Sequence, residues 1–501
     1  MSNRIFFMAV FPWIALSLAV TCCNERGGGT VPDSEETETA ADVRTYTTTA
    51  DKSKLFKAKG LVFDKKLTVP SSISVTNVTL DPSTTYQTVD GFGAAMTWAS
   101  CYNLGRMTPA ARSEFLKSLF GADGLGIGLI RVTIGASDFN VEEYTWCDKP
   151  GIENFAMHPS DRDVVLPVLK EIVAINPEIK VIASPWSCPR WMKRRSVTDE
   201  SDWYSWTSGS LRPVYYPDYA RYFVKWIQAM QAEGIGIDAV TVQNEPLNHG
   251  NSMSLYMTWA EQRDFIKTAL GPAFEEAGLK TKILVFDHNY NYDNQADQKN
   301  YPLRIYADPE ASKYVAGSAW HNYGGSVTEL DNIVRNAPDK EIYFTEASIG
   351  TWNYSFDKCL LDDFDAIFLQ TLARGCKGVT LWNMVLDEKR GPYSPADGSC
   401  KTCYGAVTLL SASGAIIDRT THYYNIAHAS KVIRPGAVRI DAKGETGGGL
   451  NYQAYKNPDG SFGVLVLNKS DSPKVLMFKS PGHFVETLVP AKAIHSLRWT
   501  D

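Results

Sequence analysis

Two glutamates close otherwise apolar, β-rich runs: Val242-Gln243-Asn244-Glu245-Pro246 ends one and Phe344-Thr345-Glu346-Ala347-Ser348 ends another. A carboxylate at the end of a buried strand is unfavourable without a partner or a use. Two of them facing one pocket raise each other's pKa unless one stays protonated, and this lets a proton donor and a nucleophile coexist near neutral pH. Simple pairing with an Arg or Lys is an even alternative for either glutamate alone, and a poor one for both together. Around these ends stand Trp98, Trp186, Trp320, Trp352 and Trp382, flat apolar surfaces on which sugar rings could lie, with Arg131, Asp138, Asn244, His321 and Tyr323 as polar neighbours. A satisfied rim histidine is as good a reading of His321 as substrate contact. The eight histidines form no HExxH motif, and the sequence has no GxSxG elbow or Walker sequence. Metal hydrolysis, serine hydrolysis and nucleotide chemistry therefore lack their marks, and no cofactor or metal is expected.

The elements that must hold these residues recur along the chain. Eight β-rich apolar runs (88–96, 127–135, 180–187, 239–245, 282–289, 314–323, 341–347 and 378–386) are separated by longer amphipathic stretches such as 161–175 and 217–233. Near-continuous hydrophobic strands alternating with helices imply a parallel sheet covered by helices, and eight units fit an α/β fold of the (β/α)8 TIM-barrel type. A doubly wound open sheet is the alternative, but Gly124, Gly126 and Gly128 precede a strand instead of following one. Beyond the barrel the period becomes two, with Phe462, Val464 and Val466 alternating after Asn457-Pro458-Asp459-Gly460, and Val475 and Met477 repeating the pattern. This is β-sandwich patterning. The strand-rich stretch before the barrel extends the same domain, giving one sandwich formed from both chain ends, 50–86 with 431–501, around a barrel over 87–430.

The 501 residues carry 50 Lys+Arg against 56 Asp+Glu, a net charge of −6, with 44% hydrophobic and 12% aromatic residues. This excludes a disordered or nucleic-acid-binding chain. Arg4 followed by an apolar run over 5–20 and then Thr21-Cys22-Cys23 reads as a lipoprotein-type secretory signal over 1–22, with Cys22 or Cys23 as the lipid anchor. Cleavage nearby without lipidation is the plainer alternative. The Gly-, Glu- and Thr-rich stretch over 23–49 reads as a flexible tether. The expectation is an exported protein on a bacterial cell envelope, as an outer-membrane lipoprotein facing the surface or the periplasm. Seven further cysteines are too scattered for a disulfide scaffold, and Cys400 with Cys403 reads as a loop disulfide or free thiols.

Ordered motifs then carry a family resemblance. Gln87-Thr88-Val89-Asp90-Gly91-Phe92-Gly93-Ala94-Ala95, Ile130-Arg131-Val132, Ser137-Asp138-Phe139, Ser184-Pro185-Trp186-Ser187, Asn244-Glu245-Pro246, Thr345-Glu346-Ala347 and Leu381-Trp382-Asn383 resemble glycoside hydrolase family 30. This family includes glucosylceramidases, endo-β-1,6-glucanases and glucuronoxylanases. The resemblance implies a barrel with an attached sandwich, and carboxylates about 5 to 5.5 Å apart that retain anomeric configuration. It implies Glu245 as acid/base, Glu346 as nucleophile and Asn244 on the sugar 2-hydroxyl. It also implies Tyr323 as a hydrogen-bond donor to Glu346, Asp138, Trp186 and Trp382 around the 3- and 4-hydroxyls, and Arg131 supporting the nucleophile.

Two departures bear on substrate. Thr97-Trp98-Ala99 puts an indole where the family commonly has a carboxylate, and Leu386-Asp387-Glu388-Lys389-Arg390-Gly391-Pro392 replaces the Gly-Gly-Pro-Asn loop that helps glucosylceramidases hold a 6-hydroxyl. If O6 carries the next glucose, that grip is dispensable, and an extra tryptophan can stack on the continuing chain. The expected activity is therefore a retaining endo-β-1,6-glucanase. Glucosylceramidase or exo-β-glucosidase comes second, glucuronoxylan cleavage with Lys389 or Arg390 gripping a uronic acid third, and a non-catalytic glycan binder is the remaining class.

Overall fold

The structure, a computed structural model, describes residues 41–501 apart from 69, 71, 72, 291–294 and 353. The expected signal, both anchor cysteines and most of the tether lie outside the described residues. Eight parallel strands form one sheet: β1 (Gly91–Ala94), β2 (Leu129–Ile134), β3 (Lys180–Pro185), β4 (Ala239–Thr241), β5 (Lys282–Asn289), β6 (Val315–His321), β7 (Glu341–Glu346) and β8 (Cys376–Leu381). Neighbours follow chain order from β2 to β8, and β8 pairs with β1. A parallel bridge between Ala95 and Arg131, with the Met96 N–H donating to the Arg131 carbonyl, closes the ring into a barrel.

The strands are apolar on both faces because helices cover the outside and side chains fill the inside. Leu129, Ile182, Ala239, Leu284, Ala319 and Tyr343 make a buried cluster contributed by β2 to β7. Where β1 presses on β2 only glycine fits, since a Cβ on Gly93 would fall 1.9 Å from the Leu129 carbonyl oxygen. The helix Tyr216–Ala232 shows how the outer layer is specified: Tyr219, Tyr222, Phe223, Trp226, Ile227 and Met230 are buried at helical spacing. Thr258 and Glu261 form a capping box that starts the next helix.

The sandwich comes from both chain ends and is one folded nine-stranded sheet in the order Lys57–Leu61, Val43–Thr49, Ala493–Trp499, Phe462–Asn468, Leu450–Lys456, Ala437–Lys443, Val75–Val89, Lys474–Lys479 and Phe484–Val489. The long strand Val75–Val89 joins its two parts, pairing through Val75–Thr79 with Val475–Lys479 and through its later residues with Ala437–Lys443. The expected tether therefore ends earlier than residue 49. Val43–Thr49 is a strand paired along its whole length with Ala493–Trp499, and the burial of Thr45, Thr47, Thr48 and Thr49 is what a tether reading overlooks. Phe462–Asn468 is buried on both faces: Phe462, Val464 and Val466 pack in the sandwich core, and Leu465 and Leu467 belong to the barrel's hydrophobic cluster. No helix among the described residues is long and apolar enough to cross a membrane.

Candidate active site

At the C-terminal end of the barrel lies a cavity of about 520 Å³ whose wall includes Asp138, Trp186, Glu245, Tyr323, Glu346 and Trp382. Each comes from the end of a different strand, or from the loop just after it. β4 stops at Thr241, and Glu245 beyond it has φ 44°, with its N–H donating to the Asp287 carbonyl at 2.9 Å. Phe286 and Asp287, where β5 slips register against β6, are also left-handed at φ 74° and 59°. Non-glycine residues held there are backbone strain concentrated at the barrel mouth.

The two glutamates have different surroundings. Glu346 Oε2 accepts from Arg131 Nη1 at 2.5 Å, and its Oε1 accepts from the Tyr323 hydroxyl at 2.9 Å. Burial pushes its carboxyl up, over the opposing pull of His321 and Arg131. Glu245 Oε2 accepts from Asn248 Nδ2 at 2.8 Å and Asn251 Nδ2 at 3.0 Å, while Oε1 lies 3.1 Å from His321 Nδ1 and 3.8 Å from His288 Nδ1. Burial would raise the Glu245 carboxyl too, but hydrogen bonding and charge from His288 and His321 hold it well below the usual carboxylate range.

Behind both lies a fully buried polar layer. Arg131 reaches Glu346, the Asn244 oxygen at 2.7 Å and Asp287 Oδ2 at 2.8 Å. Asp287 also accepts from Ser184 at 2.7 Å, Thr241 at 2.6 Å and Thr345 at 2.6 Å, and meets His321 Nε2 at 3.1 Å. Burial alone would raise the Asp287 carboxyl, but the Arg131 charge and the His321 contact keep it ionised. His321, between Asp287 and Glu245, is pushed up to about 9: burial works against its charge, and the carboxylates of Glu346, Asp287 and Glu245 outweigh it. The Arg131 guanidinium sits 5.0 Å above Trp186 and 5.6 Å from Trp382, whose rings stack at 5.1 Å. Asp138 is pushed up to about 8 by burial and by the Glu346 charge, although the Cys400 N–H donates to its Oδ2 at 3.3 Å.

The expected residues thus divide. Asp138, Trp186, Glu245, Tyr323, Glu346 and Trp382 face the cavity, whereas Arg131, Asn244 and His321 make the layer beneath it. Of the two readings of His321, the satisfied histidine fits over substrate contact, since both its ring nitrogens are taken up by carboxylates. Of the five rim tryptophans, Trp98 and Trp320 are off the wall. Trp98 starts a helix and stacks on Tyr102 at 4.9 Å, and Trp320 donates to Ser318 and packs on Phe286. Trp352, 53% exposed, is the additional indole on the cavity wall. Neither Lys389 nor Arg390 is among the wall residues; their loop closes on itself, Asp387 accepting from the N–H groups of Lys389 and Gly391. The wall there is completed by Gly398, Ser399 and the disulfide Cys400–Cys403.

Sequence reading passed over Asp287, His288, Asn248 and Asn251. The signal was present for the first two, since Asp287-His288-Asn289 ends an apolar strand as Asn244-Glu245 does. The two asparagines sit in a loop with no pattern pointing to them.

Comparison with known proteins agrees with this geometry. The glycosyl hydrolase family 30 TIM-barrel domain matches residues 89–433, and the family's β-sandwich domain matches 436–497. The chain is 31% identical over 425 residues to endo-1,6-β-D-glucanase neg1 of Aspergillus fumigatus, covering 80% of this chain and 82% of that protein. It is 29% identical over 444 residues to the lysosomal acid glucosylceramidase of Mus musculus, covering 84% and 83%. Among solved structures, the endo-β1,6-glucanase BT3312 superposes with a TM-score of 0.88 at 52% identity, covering 92% of this chain and all of the other. With both domains matched around a strand-end glutamate pair, the chain belongs to glycoside hydrolase family 30 and is an O-glycosyl hydrolase.

Proposed function

We propose that the protein is a retaining endo-β-1,6-glucanase. The observation that supports the linkage most directly is the 52% identity and 0.88 TM-score to an endo-β1,6-glucanase over 92% of the chain. The loop after β8, turned on itself around Asp387, agrees with a substrate whose O6 is substituted.

In this reading a Glu346 carboxylate oxygen attacks C1 of the bound glucosyl unit, the bond from C1 to O6 of the next glucose breaks, and the proton that Glu245 shares with His321 passes through Glu245 to that leaving oxygen. Water then gives a proton back to Glu245 and its oxygen attacks C1, releasing Glu346; two inversions leave the configuration retained. Arg131 and Tyr323 hold both oxygens of Glu346 and fix its direction of approach. His321 keeps Nε2–H on Asp287 and shares a proton with Glu245 through Nδ1. When Glu346 becomes an uncharged ester, His321 loses the charge that contributes most to its elevated pKa. Asn244, its oxygen held by Arg131, has its NH2 left for the sugar 2-hydroxyl, and the Trp186–Trp382 pair offers apolar surface to the ring.

Linear β-1,6-glucan given to the purified protein should yield a ladder of oligosaccharides by chromatography. Glucose alone would assign exo action, and no product, with turnover of glucosylceramide instead, would favour the activity named for the mouse relative.

Export and lipidation rest on the sequence alone: Arg4, the apolar run 5–20 and Cys22-Cys23 support an envelope lipoprotein. Labelling with a radioactive fatty acid should mark the wild-type chain and lose the mark in Cys22→Ser or in Cys23→Ser. No label in the wild type would reduce the leader to an ordinary signal.

A further inference from the structure

A second chemistry lies latent in the cavity wall. Glu245, His288 and His321 each offer one ligand atom, and all three atoms lie within 4.8 Å of one another. Glu245 Oε1 is 3.1 Å from His321 Nδ1 and 3.8 Å from His288 Nδ1. A tetrahedral zinc ion with bonds near 2.0–2.2 Å places its ligand atoms about 3.3 Å apart, a spacing these two distances bracket. Two imidazoles and one carboxylate are also the donor set that suits a borderline transition ion, whereas Mg²⁺ and Ca²⁺ prefer all-oxygen shells.

The outer shell is built as well. His321 places Nε2 3.1 Å from Asp287 Oδ1, and Asp287 is fixed by Arg131, Ser184, Thr241 and Thr345. A carboxylate bonded to the far nitrogen orients a ligating histidine and raises its basicity, and it presents Nδ1 to the site. Asn248 and Asn251 occupy Oε2 of Glu245, which leaves Oε1 as the ligating oxygen. Glu245 and His288 face the cavity, so an ion can enter from solvent and complete its shell with water.

We propose that these three residues form an inhibitory site for a divalent transition cation of the zinc type. A bound ion occupies the Glu245 oxygen that faces His321 and prevents that carboxyl from carrying a proton. This consequence rests on Glu245 being the acid/base; the binding itself does not.

The test is calorimetric titration of the full chain with zinc chloride in metal-free buffer, beside turnover at the same zinc concentrations. One equivalent should bind, inhibition should follow the same midpoint, and magnesium chloride should do neither. His288→Ala removes a ligand outright, so it should weaken zinc by at least the roughly tenfold that loss of an outer-shell partner produces. Cobalt(II) added to the wild type gives a readout free of any variant: intense visible bands mark a four-coordinate site, and weak bands count against it. Absence of zinc binding, or unchanged affinity in a folded His288→Ala, would overturn the site while leaving the glucanase reading intact. Zinc bound without inhibition would overturn the inhibitory role and also count against Glu245 as the acid.

Discussion

His321, His428 and His495 are buried and hydrogen-bonded, and the barrel mouth and the side of the molecule against the sandwich treat them in opposite ways. His321 lies between Asp287 and Glu245 and is pushed up to about 9. In the sandwich, His495 sits between the hydroxyls of Thr47 at 2.8 Å and Thr487 at 3.0 Å, and burial pushes it down to about 3. His428 on the helix Thr421–Val432 bridges Ser496 at 2.9 Å and Thr48 at 2.8 Å and is likewise held well below its ordinary value by burial. Burial disfavours the charged ring in every case, so the partner decides. A hydroxyl donates or accepts and is satisfied by a neutral ring, whereas a carboxylate calls for a proton. These two histidines are therefore satisfied without charge, and the barrel mouth keeps charge where a reaction needs it.

The strongest way to break this contrast is to remove the charge that contributes most to it. Glu346→Gln should reduce turnover by at least ~10⁴-fold, as loss of a nucleophile does. The same change should lower the His321 pKa, followed by NMR of the labelled imidazole. An unshifted His321 would mean that its proton does not depend on the barrel's carboxylates. Next in size is Glu245→Ala, expected to slow glucan cleavage by about 10²–10⁴-fold and activated aryl glycosides much less, since only the former need a proton on the leaving oxygen. Equal losses on both would remove Glu245 from the acid role.

Stability separates the two regions further. Asp287→Asn leaves Arg131 and His321 without their shared counter-charge in a fully buried layer, a change worth roughly 3–5 kcal/mol by urea denaturation. In the sandwich the sensitivity is to acid. His495 is neutral when folded, with a pKa of about 3 against 6.5 unfolded. The unfolded chain therefore binds the extra proton, and the stability due to this histidine is complete above pH 6.5 and lost as pH falls toward 3. By pH 5 the loss relative to high pH totals about 2 kcal/mol. His495→Gln should flatten that part of the profile, and an unchanged slope would show that another group titrates there.

The difference between the regions also sets what was legible from sequence. The barrel strands, the paired glutamates and Asp138, Tyr323, Trp186 and Trp382 could be picked out because a barrel gathers its function at the C-terminal ends of its strands, and the family resemblance supplied their places around the sugar. Arg131 and His321 could be chosen but not placed, since a strand-end residue can face the cavity or the layer beneath it. Trp98 misled because an aromatic after a strand can equally begin a helix and bury itself. Val43–Thr49 was misread because a short Thr-rich strand has the composition of a tether, and its partner is some 450 residues away in sequence. Thr47 and Thr487 carry no sequence sign that they flank a histidine. Such contacts exist only once distant strands are in register.

The finest discrimination lies inside the barrel, between Asp138 and Asp287. Both are buried aspartates near Glu346, but Asp287 has the Arg131 charge against it and Asp138 has only backbone N–H groups, that of Cys400 and its own. Asp138 is accordingly pushed up to about 8, by burial first and then by the Glu346 charge. Below that pH it is a neutral carboxylic acid on the cavity wall, able to donate to a sugar hydroxyl. As pH rises through 8 it loses that proton and adds negative charge beside the nucleophile. The alkaline limb of kcat/KM should therefore fall from about pH 8, with roughly tenfold lost by pH 9 if Asp138 alone is responsible. Asp138→Asn keeps a neutral donor that cannot ionise, so its limb should move toward the His321 value near 9, even if its activity at the optimum is lower. If the limb stays where it was in the wild type, a different group controls it, and Asp138 is an ionised hydrogen-bond acceptor in the folded protein.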